Sequence, residues 1–192
     1  MGFLEEKQSR KSIFLSSVFL LAAVILTLQL MGRPWLHQSG ILKFWQSDIY
    51  SPQVSQHLTD WYTLTHFLHG VLLYGLLCLI FPGMPVGIRL VFAIALEGIW
   101  EIVENTDYAI RYYRNNTMAI QFYGDTILNS FLDQLAMIMG FITARKIPVL
   151  ITVVIFIATE LTLLYFTRDS FLLNILMLLY PVEAIKNWQM PG

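Results

Sequence analysis

Six apolar stretches, separated by polar or glycine- and proline-containing segments, dominate the pattern of hydrophobic and polar positions along the chain. They predict helices over residues 13–31, 61–81, 86–104, 125–144, 148–166 and 170–181. The first five are close to the roughly 20 residues that a helix needs to cross a bilayer. The sixth is shorter, but a chain that passes back and forth six times is the simplest expectation. The predicted fold class is an all-α integral membrane protein with about six transmembrane helices in one bundle.

The segments between and beyond these stretches predict one membrane domain and two short tails, over residues 13–185, 1–12 and 186–192. The sequence FPGMPVG at 81–87 is rich in glycine and proline and predicts a tight turn between the second and third helices. An extracytoplasmic loop over 32–60 mixes polar residues with Trp35, Trp45 and Tyr50, as is typical of chain at a membrane surface. The first apolar stretch exceeds the core length of a signal peptide, so we expect it to be retained as a helix.

Composition agrees with this pattern, because hydrophobic residues make up 56% of the 192. The formal net charge of −1 gives no basic surface, so we expect membrane lipid and not nucleic acid as a partner. Cys78 is the only cysteine, which excludes an intramolecular disulfide. Lysine and arginine are slightly more frequent in the segments on the N-terminal side of the predicted membrane. The positive-inside rule therefore predicts that both termini are cytoplasmic.

Two polar stripes interrupt the apolar helices. In the third helix Glu97, Glu101 and Glu104 have the spacing i, i+4 and i+7, and in the fourth helix a second stripe has i, i+4 and i+8. The second stripe consists of Asp125, Asn129 and Asp133. Ionisable groups inside a membrane cost about 2.5–3.5 kcal/mol each near the bilayer centre on insertion scales. The stripes therefore indicate where the chemistry of this protein lies.

Alternation of the helices predicts that the two stripes meet. The beginning of the second helix, the end of the third and the beginning of the fourth lie on one side of the membrane. His66 and His69 begin the second helix and would join the stripes there, with Arg111 and Arg168 at the rim. With the N-terminus inside, this carboxylate-histidine cluster faces outward.

Histidine and carboxylate side chains are suitable ligands for zinc or another divalent ion, so a divalent metal is a candidate cofactor. The predicted metal ligands are His66, His69, Glu101, Glu104 and Asp125. Crowded carboxylates also suit general acid–base catalysis, and the predicted catalytic residues are Glu101, Glu104, Asp125 and Asp133. The predicted substrate-binding residues are Arg111, Arg168 and Asn129, because arginine holds anionic groups well.

Each feature also has a structural interpretation. The histidines would link neighbouring helices by hydrogen bonds, and the glutamates would pair with arginines. Asp125 would simply cap the fourth helix, since aspartate is a favoured N-cap. No HExxH, Glu-x-x-His pair, GxSxG or phosphate-binding glycine motif occurs in the sequence. The motifs therefore do not select one type of chemistry.

Four segments carry a family resemblance: SQHLTDWYTLTHFLHG, EGIWEIVENTDY, FYGDTILNSFLDQLAMIMG and RDSFLLNILMLLYPVEAIKNWQ. Over nearly all of residues 32–189 the chain resembles an uncharacterised family of bacterial inner-membrane proteins, uncharacterised protein family (UPF) 0314. The resemblance implies a multi-pass protein of the cell inner membrane and brings no established activity. More distantly, the series H…E…D…N…G over the second to fourth helices is similar to VanZ-like membrane proteins, which implies a role in the cell envelope.

These observations predict an outward-facing His/Glu/Asp pocket. The leading hypothesis is a metal-assisted hydrolase or transferase that acts on a lipid-linked or small anionic envelope substrate. The alternatives are a non-catalytic envelope binding or assembly factor, and a proton-coupled transporter, since intramembrane acids also form proton relays. The absence of an inverted repeat and the apolar inner half of the helices count against transport.

Overall fold

In a computed structural model the described part of the chain forms eight α-helices, in agreement with the predicted all-α class. The structure describes residues 2–190, with side chains from Arg10 onward. The helices are α1 (Gly2–Leu30), α2 (Trp61–Ile80), α3 (Val86–Glu104), α4 (Asp107–Asn116), α5 (Ile127–Lys146), α6 (Val149–Thr167), α7 (Phe171–Leu179) and α8 (Glu183–Gln189). Two parallel two-residue strands, β1 (Trp45–Gln46) and β2 (Thr59–Asp60), lie in the loop after α1. The predicted tail over 1–12 is mostly part of α1, while residues 1, 191 and 192 lie outside the described part.

Among the described residues, four helices are long and apolar enough to cross a membrane. They are Arg10–Leu30 within α1, and the whole of α2, α5 and α6. α3 has a similar length, 19 residues, but carries Arg89 and three glutamates. It packs against α1, α2 and α5, and its Ala93 and Ile94 are buried in their shared core. Glu97 and Glu101 are buried on the packed face, while Phe92, Leu96 and Ile99 are exposed on the opposite face, so these two glutamates need not face lipid.

The closest helix pair is α2 with α5, and two glycines make the close approach possible. A Cβ atom added at Gly70 would overlap the carbonyl oxygen of Met137, and one added at Gly140 would overlap that of Phe67. Each glycine therefore faces the backbone of the other helix. Backbones this close bring the polar beginnings of α2 and α5 together.

The loop between α1 and α2 is tied to the beginning of α5. The backbone N–H of Thr126 donates to the Ser55 carbonyl at 3.0 Å, and that of Ile127 donates to the Pro34 carbonyl at 2.8 Å. Asp60 caps α2, because its Oδ1 accepts from the Tyr62 N–H at 2.8 Å. The same carboxylate accepts from the Ser55 N–H at 2.8 Å. The loop thus covers the polar end of the helices.

The segment predicted as a sixth transmembrane helix is shorter than expected. It forms α7, whose nine residues span about 14 Å, against a hydrocarbon core of roughly 30 Å. The α7 helix begins at a Ser170 cap, and Glu160 of α6 also accepts from the N–H groups of Phe171 and Leu172 at 2.8 and 3.1 Å. The turn that follows, around Pro181, leads into the separate short helix α8. The helix is shorter than the predicted 170–181 because apolar composition alone does not show where a helix ends, and α7 is not among the described helices that are long enough to span a membrane.

The two ends of the described chain lie at opposite ends of the helix group. Ile13 of α1 lies where a Cβ at Gly87 would be, beside the α2–α3 turn. The C-terminal segment lies at the other end, where the Tyr50 hydroxyl donates to the Gln189 carbonyl at 2.6 Å and Gln189 Nε2 donates to Asp169 Oδ1 at 3.1 Å. This arrangement differs from the expectation that both termini share one side, because the nine residues of α7 are too few to return the chain to the other end of the helix group. The side of the membrane on which each terminus lies stays a prediction.

A topology assay should reproduce this arrangement. Reporter fusions after residues 84 and 147 should read on one side of the membrane, and fusions after 50, 115 and 190 on the other. The expected result follows from the length of α7 and the contact of Gln189 with Tyr50. A fusion after residue 190 that reads on the same side as residue 84 would show that the segment after α6 crosses the membrane.

Candidate functional site

His66 of α2 lies at the centre of a buried cluster formed with the glutamates of α3. Its Nδ1 is 2.5 Å from Glu97 Oε1 and 3.4 Å from Glu101 Oε1. His69, one turn further along α2, places its Nδ1 3.0 Å from Glu97 Oε2. Glu97 and Glu101 are 2% and 0% exposed, so both carboxyl groups are shielded from solvent. The i, i+3 spacing of the histidines and the i, i+4 spacing of the glutamates place all four on facing helix surfaces.

α5 adds Asp133 to the same cluster. Asp133 Oδ2 is 4.0 Å from His66 Nε2, on the opposite side of the imidazole from Glu97. Within the described residues, both oxygens of Glu101, Oδ1 of Asp133 and Oδ1 of Asn129 are buried without a hydrogen-bond partner. Buried polar atoms are nearly always hydrogen-bonded, so this group of acceptors calls for a positively charged or hydrogen-bond-donating partner.

Asp125 is not the N-cap of α5, which is a correction to one interpretation of the sequence. Thr126 is the cap, and its Oγ1 accepts from the Asn129 N–H at 3.2 Å. Asp125 instead accepts from Asn105 Nδ2 at 2.6 Å, while its own N–H donates to Asn105 Oδ1 at 2.7 Å. Burial raises the pKa of Asp125 to about 6, and the Asn105 hydrogen bond opposes this shift. The pair joins the end of α3 to the beginning of α5.

A cavity of about 50 Å³ lies beside the cluster, which is room for a few water molecules or for one small group. Four carboxylic acids reach its wall: Glu104, Asp125, Asp133 and Asp169. His66 and His69 also line it, and the remaining wall is largely aromatic and aliphatic. The side chains predicted as metal ligands or acid–base groups therefore surround one small space, with the exception of Glu101, which lies behind His66.

The two predicted arginines are not part of this cavity. Arg168 ends α6 in the left-handed conformation, with φ of 53°, and its guanidinium donates to the Trp188 and Met190 carbonyls at 3.2 and 3.3 Å. Arg111 is exposed on α4. No lysine or arginine is among the described residues that line the cavity. The position of the arginines at the rim was inferred from chain order, which does not determine the direction of a side chain.

Asn129, the third predicted substrate-binding residue, is buried beside the cluster. Its Nδ2 is 3.5 Å from the Leu58 carbonyl, so it contacts the loop that covers α5. It does not line the cavity. Asn129 therefore connects the covering loop with the site.

Sequence reasoning missed three residues that the site uses. Asn105 lies four residues after Glu101 and therefore on the same face of the helix, a spacing that is visible in the sequence. Tyr113 lies on α4, in the segment between the predicted helices 86–104 and 125–144, where no helix was expected. Its hydroxyl is buried at the cavity wall. The N-cap of that helix is Thr106, whose hydroxyl accepts from the Ala109 N–H at 3.2 Å. Threonine is a favoured N-cap residue, so it could have indicated the start of α4 in the sequence. Asp60, buried at the beginning of α2, lies at the end of the predicted loop and is the N-cap of that helix.

Asp169 closes the cavity from the α6–α7 junction. Its Oδ2 accepts from the Tyr62 hydroxyl at 3.3 Å, and its Oδ1 accepts from the Ser170 N–H at 2.9 Å. Burial raises the pKa of Asp169 to about 6, against the effect of these hydrogen bonds. Since Gln189 also donates to this carboxylate, Asp169 joins α2, α7 and the C-terminal segment.

The fold and the site define an all-α protein with helices suited to a membrane and a buried cluster of histidine and carboxylate side chains. Residues 28–191 match the family described as "Protein of unknown function (DUF2585)". The chain belongs to this family, whose curated relatives carry the name UPF0314 protein. The family resemblance stated from the sequence is thus confirmed, while the similarity to VanZ-like proteins stays a prediction.

The relatives match over almost their whole length. A UPF0314 protein of Rhizobium meliloti (strain 1021) is 44% identical over 189 residues, which cover 98% of this chain and 96% of the relative. One from Paracoccus denitrificans (strain Pd 1222) is 39% identical over 180 residues, covering 94% and 93%. No solved structure matches the chain.

Proposed function

We propose that the chain is a multi-pass protein of the bacterial inner membrane that binds a divalent cation in its His/Glu/Asp cluster. In this proposal α1, α2, α3, α5 and α6 cross the membrane, and the N-terminus is cytoplasmic. The cluster then lies in the outer half of the bilayer, open toward the cell envelope. Support for this orientation comes from Lys7, Arg10 and Lys11 before the first span, since positive residues favour the cytoplasmic side.

The observation that carries the cation proposal is the unpartnered state of Glu101 and Asp133 around His66. Three of their four carboxylate oxygens are buried with no hydrogen-bond donor in the described part of the chain. A buried carboxylate is costly unless it is paired, protonated or bound to a metal. No lysine or arginine forms an ion pair with either group among the described residues, so a cation from solution is the simplest partner.

The geometry suits a metal. One donor atom each from His66, Glu101 and Asp133 lies within 4.8 Å of the others, and a second such set is His66, His69 and Glu97. Two ligands on a tetrahedral zinc ion lie about 3.3 Å apart, given bonds of 2.0–2.1 Å. Small side-chain rotations would close the first set. Glu97 then holds the His66 ring through Nδ1, as carboxylates commonly do behind a metal-bound histidine.

The first set is the better candidate, because Glu97 is already shared between two imidazoles. A divalent ion supplies a Lewis acid and lowers the pKa of a bound water. Glu104 faces the cavity with its Oε2 buried and unpartnered, and it is the residue best placed to accept a proton. We therefore propose hydrolysis or group transfer on a substrate of the cell envelope as the activity.

A metal-binding measurement on the purified full-length chain tests the proposal. After chelator treatment, calorimetric titration with zinc and with manganese should show one site per chain, and elemental analysis should recover one ion. Asp133→Asn should remove this binding, whereas Asp107→Asn should not, because Asp107 is on the exposed side of α4. Absence of stoichiometric binding for both ions would refute the cation site.

A further inference from the structure

We infer that the cavity beside the cluster binds an organic ammonium group, so that the substrate of this protein carries a protonated amine and not an anionic head. This inference deepens the proposed function, because it names the substrate class for the same cavity. It rests on the charge of the lining, on three unpartnered acceptors and on the aromatic wall.

Carboxylic acids dominate the ionisable lining of the cavity, beside the two histidines His66 and His69. Glu104, Asp125, Asp133 and Asp169 reach the cavity, and the described lining contains no lysine or arginine. Arg168 is instead bound to the backbone of the C-terminal segment. An anion brought into this space would lose its water and meet the repulsion of four carboxylates, whereas a cation would gain their attraction.

Three acceptors at the cavity wall make no hydrogen bond of normal geometry among the described residues: Glu104 Oε2, Asp133 Oδ1 and the Tyr113 hydroxyl. Glu104 and Tyr113 lie close enough to interact with each other, as do Asp133 and Thr63. Tyr113 and Asp133 are only 4% and 3% exposed, so water does not serve them from outside. A primary ammonium group offers three N–H donors, one for each of these acceptors. Hydrogen bonds of this charged kind are roughly twice as strong as neutral ones.

The remaining wall fits the carbon atoms next to such a nitrogen. Trp100, Phe122 and Phe171 line the cavity. The faces of aromatic rings attract cations, and the attraction is stronger when water is excluded. The volume of about 50 Å³ admits the charged head and leaves the rest of the molecule toward the mouth. An amine with an apolar or extended body fits this shape.

Three probes of equal length separate charge from size: butylammonium, 1-butanol and butyrate. Each is titrated into the purified full-length chain, metal-stripped and zinc-loaded in turn, and binding is measured by ligand-observed NMR. We expect saturable butylammonium binding that is at least about tenfold tighter than that of the other two, as the loss of one charged hydrogen bond predicts. Butyrate that binds as tightly as butylammonium would overturn the inference.

Variants connect this binding to the three acceptors. Glu104→Gln should weaken butylammonium binding about tenfold, and Tyr113→Phe should weaken it less, because it removes a neutral acceptor. The control Glu183→Gln makes the same chemical change on the exposed first turn of α8 and should have no effect. Thermal melting of each variant shows whether it is folded. If the Glu104→Gln protein is not folded, the binding measured for Tyr113→Phe serves as the test. Unchanged binding in a folded Glu104→Gln protein would also overturn the inference.

The two proposals fail separately. A chain that binds butylammonium but neither zinc nor manganese keeps the ammonium site and loses the metal site. A chain that binds one of these metals at one site per chain, and none of the three probes, keeps the metal site and loses the ammonium site.

Discussion

Replacing Gly140 with alanine should prevent the close packing of α2 and α5 and sharply reduce the amount of folded protein. The added methyl group would overlap the Phe67 carbonyl, which belongs to a helix backbone and cannot turn away as a side chain can. Overpacking of a core typically costs about 1–3 kcal/mol, and we expect at least the upper value here because two helices must separate. Thermal melting of the detergent-purified protein, with its yield, measures the effect.

The chain offers a matched control in Gly75→Ala. Gly75 is in the same helix, α2, but nothing lies within 4 Å of a Cβ atom built there. This change should be neutral or stabilising by up to about 1 kcal/mol, because alanine favours a helix more than glycine does. Gly70→Ala should behave like Gly140→Ala, since it would overlap the Met137 carbonyl. Equal melting temperatures for the Gly75 and Gly140 variants would contradict the packing described for α2 and α5.

Replacing Glu101 with glutamine should have opposite effects with and without metal. If a divalent ion binds the cluster, the change removes a charged ligand and should weaken zinc binding at least about 100-fold, since even indirect ligands contribute 10–100-fold. Without metal, the same change removes a negative charge that lies among other carboxylates in a buried site. The metal-free variant should therefore melt at the wild-type temperature or above it.

The stabilisation of the protein by added zinc measures both effects in one experiment. Wild-type protein should gain thermal stability on addition of zinc, while the Glu101→Gln protein should not. Glu183→Gln serves as the control, because it repeats the substitution on an exposed surface. A Glu101→Gln protein that still gains the wild-type increment with zinc would exclude Glu101 as a ligand. One that melts well below wild type without metal would indicate a structural hydrogen bond at this position.

The glutamate stripe shows how much of the site was predictable. A helix turns by about 100° per residue, so the positions of Glu97 and Glu101 on one face of α3 follow from their spacing. The predicted bounds of this helix, 86–104, are those observed. His66 was expected to meet the stripe because adjacent helices in a membrane alternate in direction, and it lies 2.5 Å from Glu97. The periodicity of a helix and the alternating direction of consecutive helices can both be read from the order of residues, so the sequence is enough to apply them.

Contacts between distant segments were less predictable. Arg168 has a charge that suits an anion. The direction of its side chain, however, is set by its own left-handed backbone conformation at the end of α6 and by the carbonyl groups of the C-terminal segment. Asp125 has the position of a helix cap, yet Asn105 binds it from another helix. Tyr113 lies in a segment with no long apolar run, and it reaches the cavity because α4 packs beside α7, where the Tyr112 hydroxyl donates to the Leu178 carbonyl at 2.9 Å.

The sequence by itself therefore determined the all-α class, the apolar helices, the family and the face of each helix that carries the polar side chains. Each of these depends on hydrophobicity and on the repeat of a single helix. The tertiary structure alone decided that α7 has only nine residues, that the two predicted arginines do not line the cavity and that three acceptors among the described residues make no hydrogen bond of normal geometry there. These outcomes depend on where helices end and how their backbones approach, which is a property of the packed chain and not of any one segment.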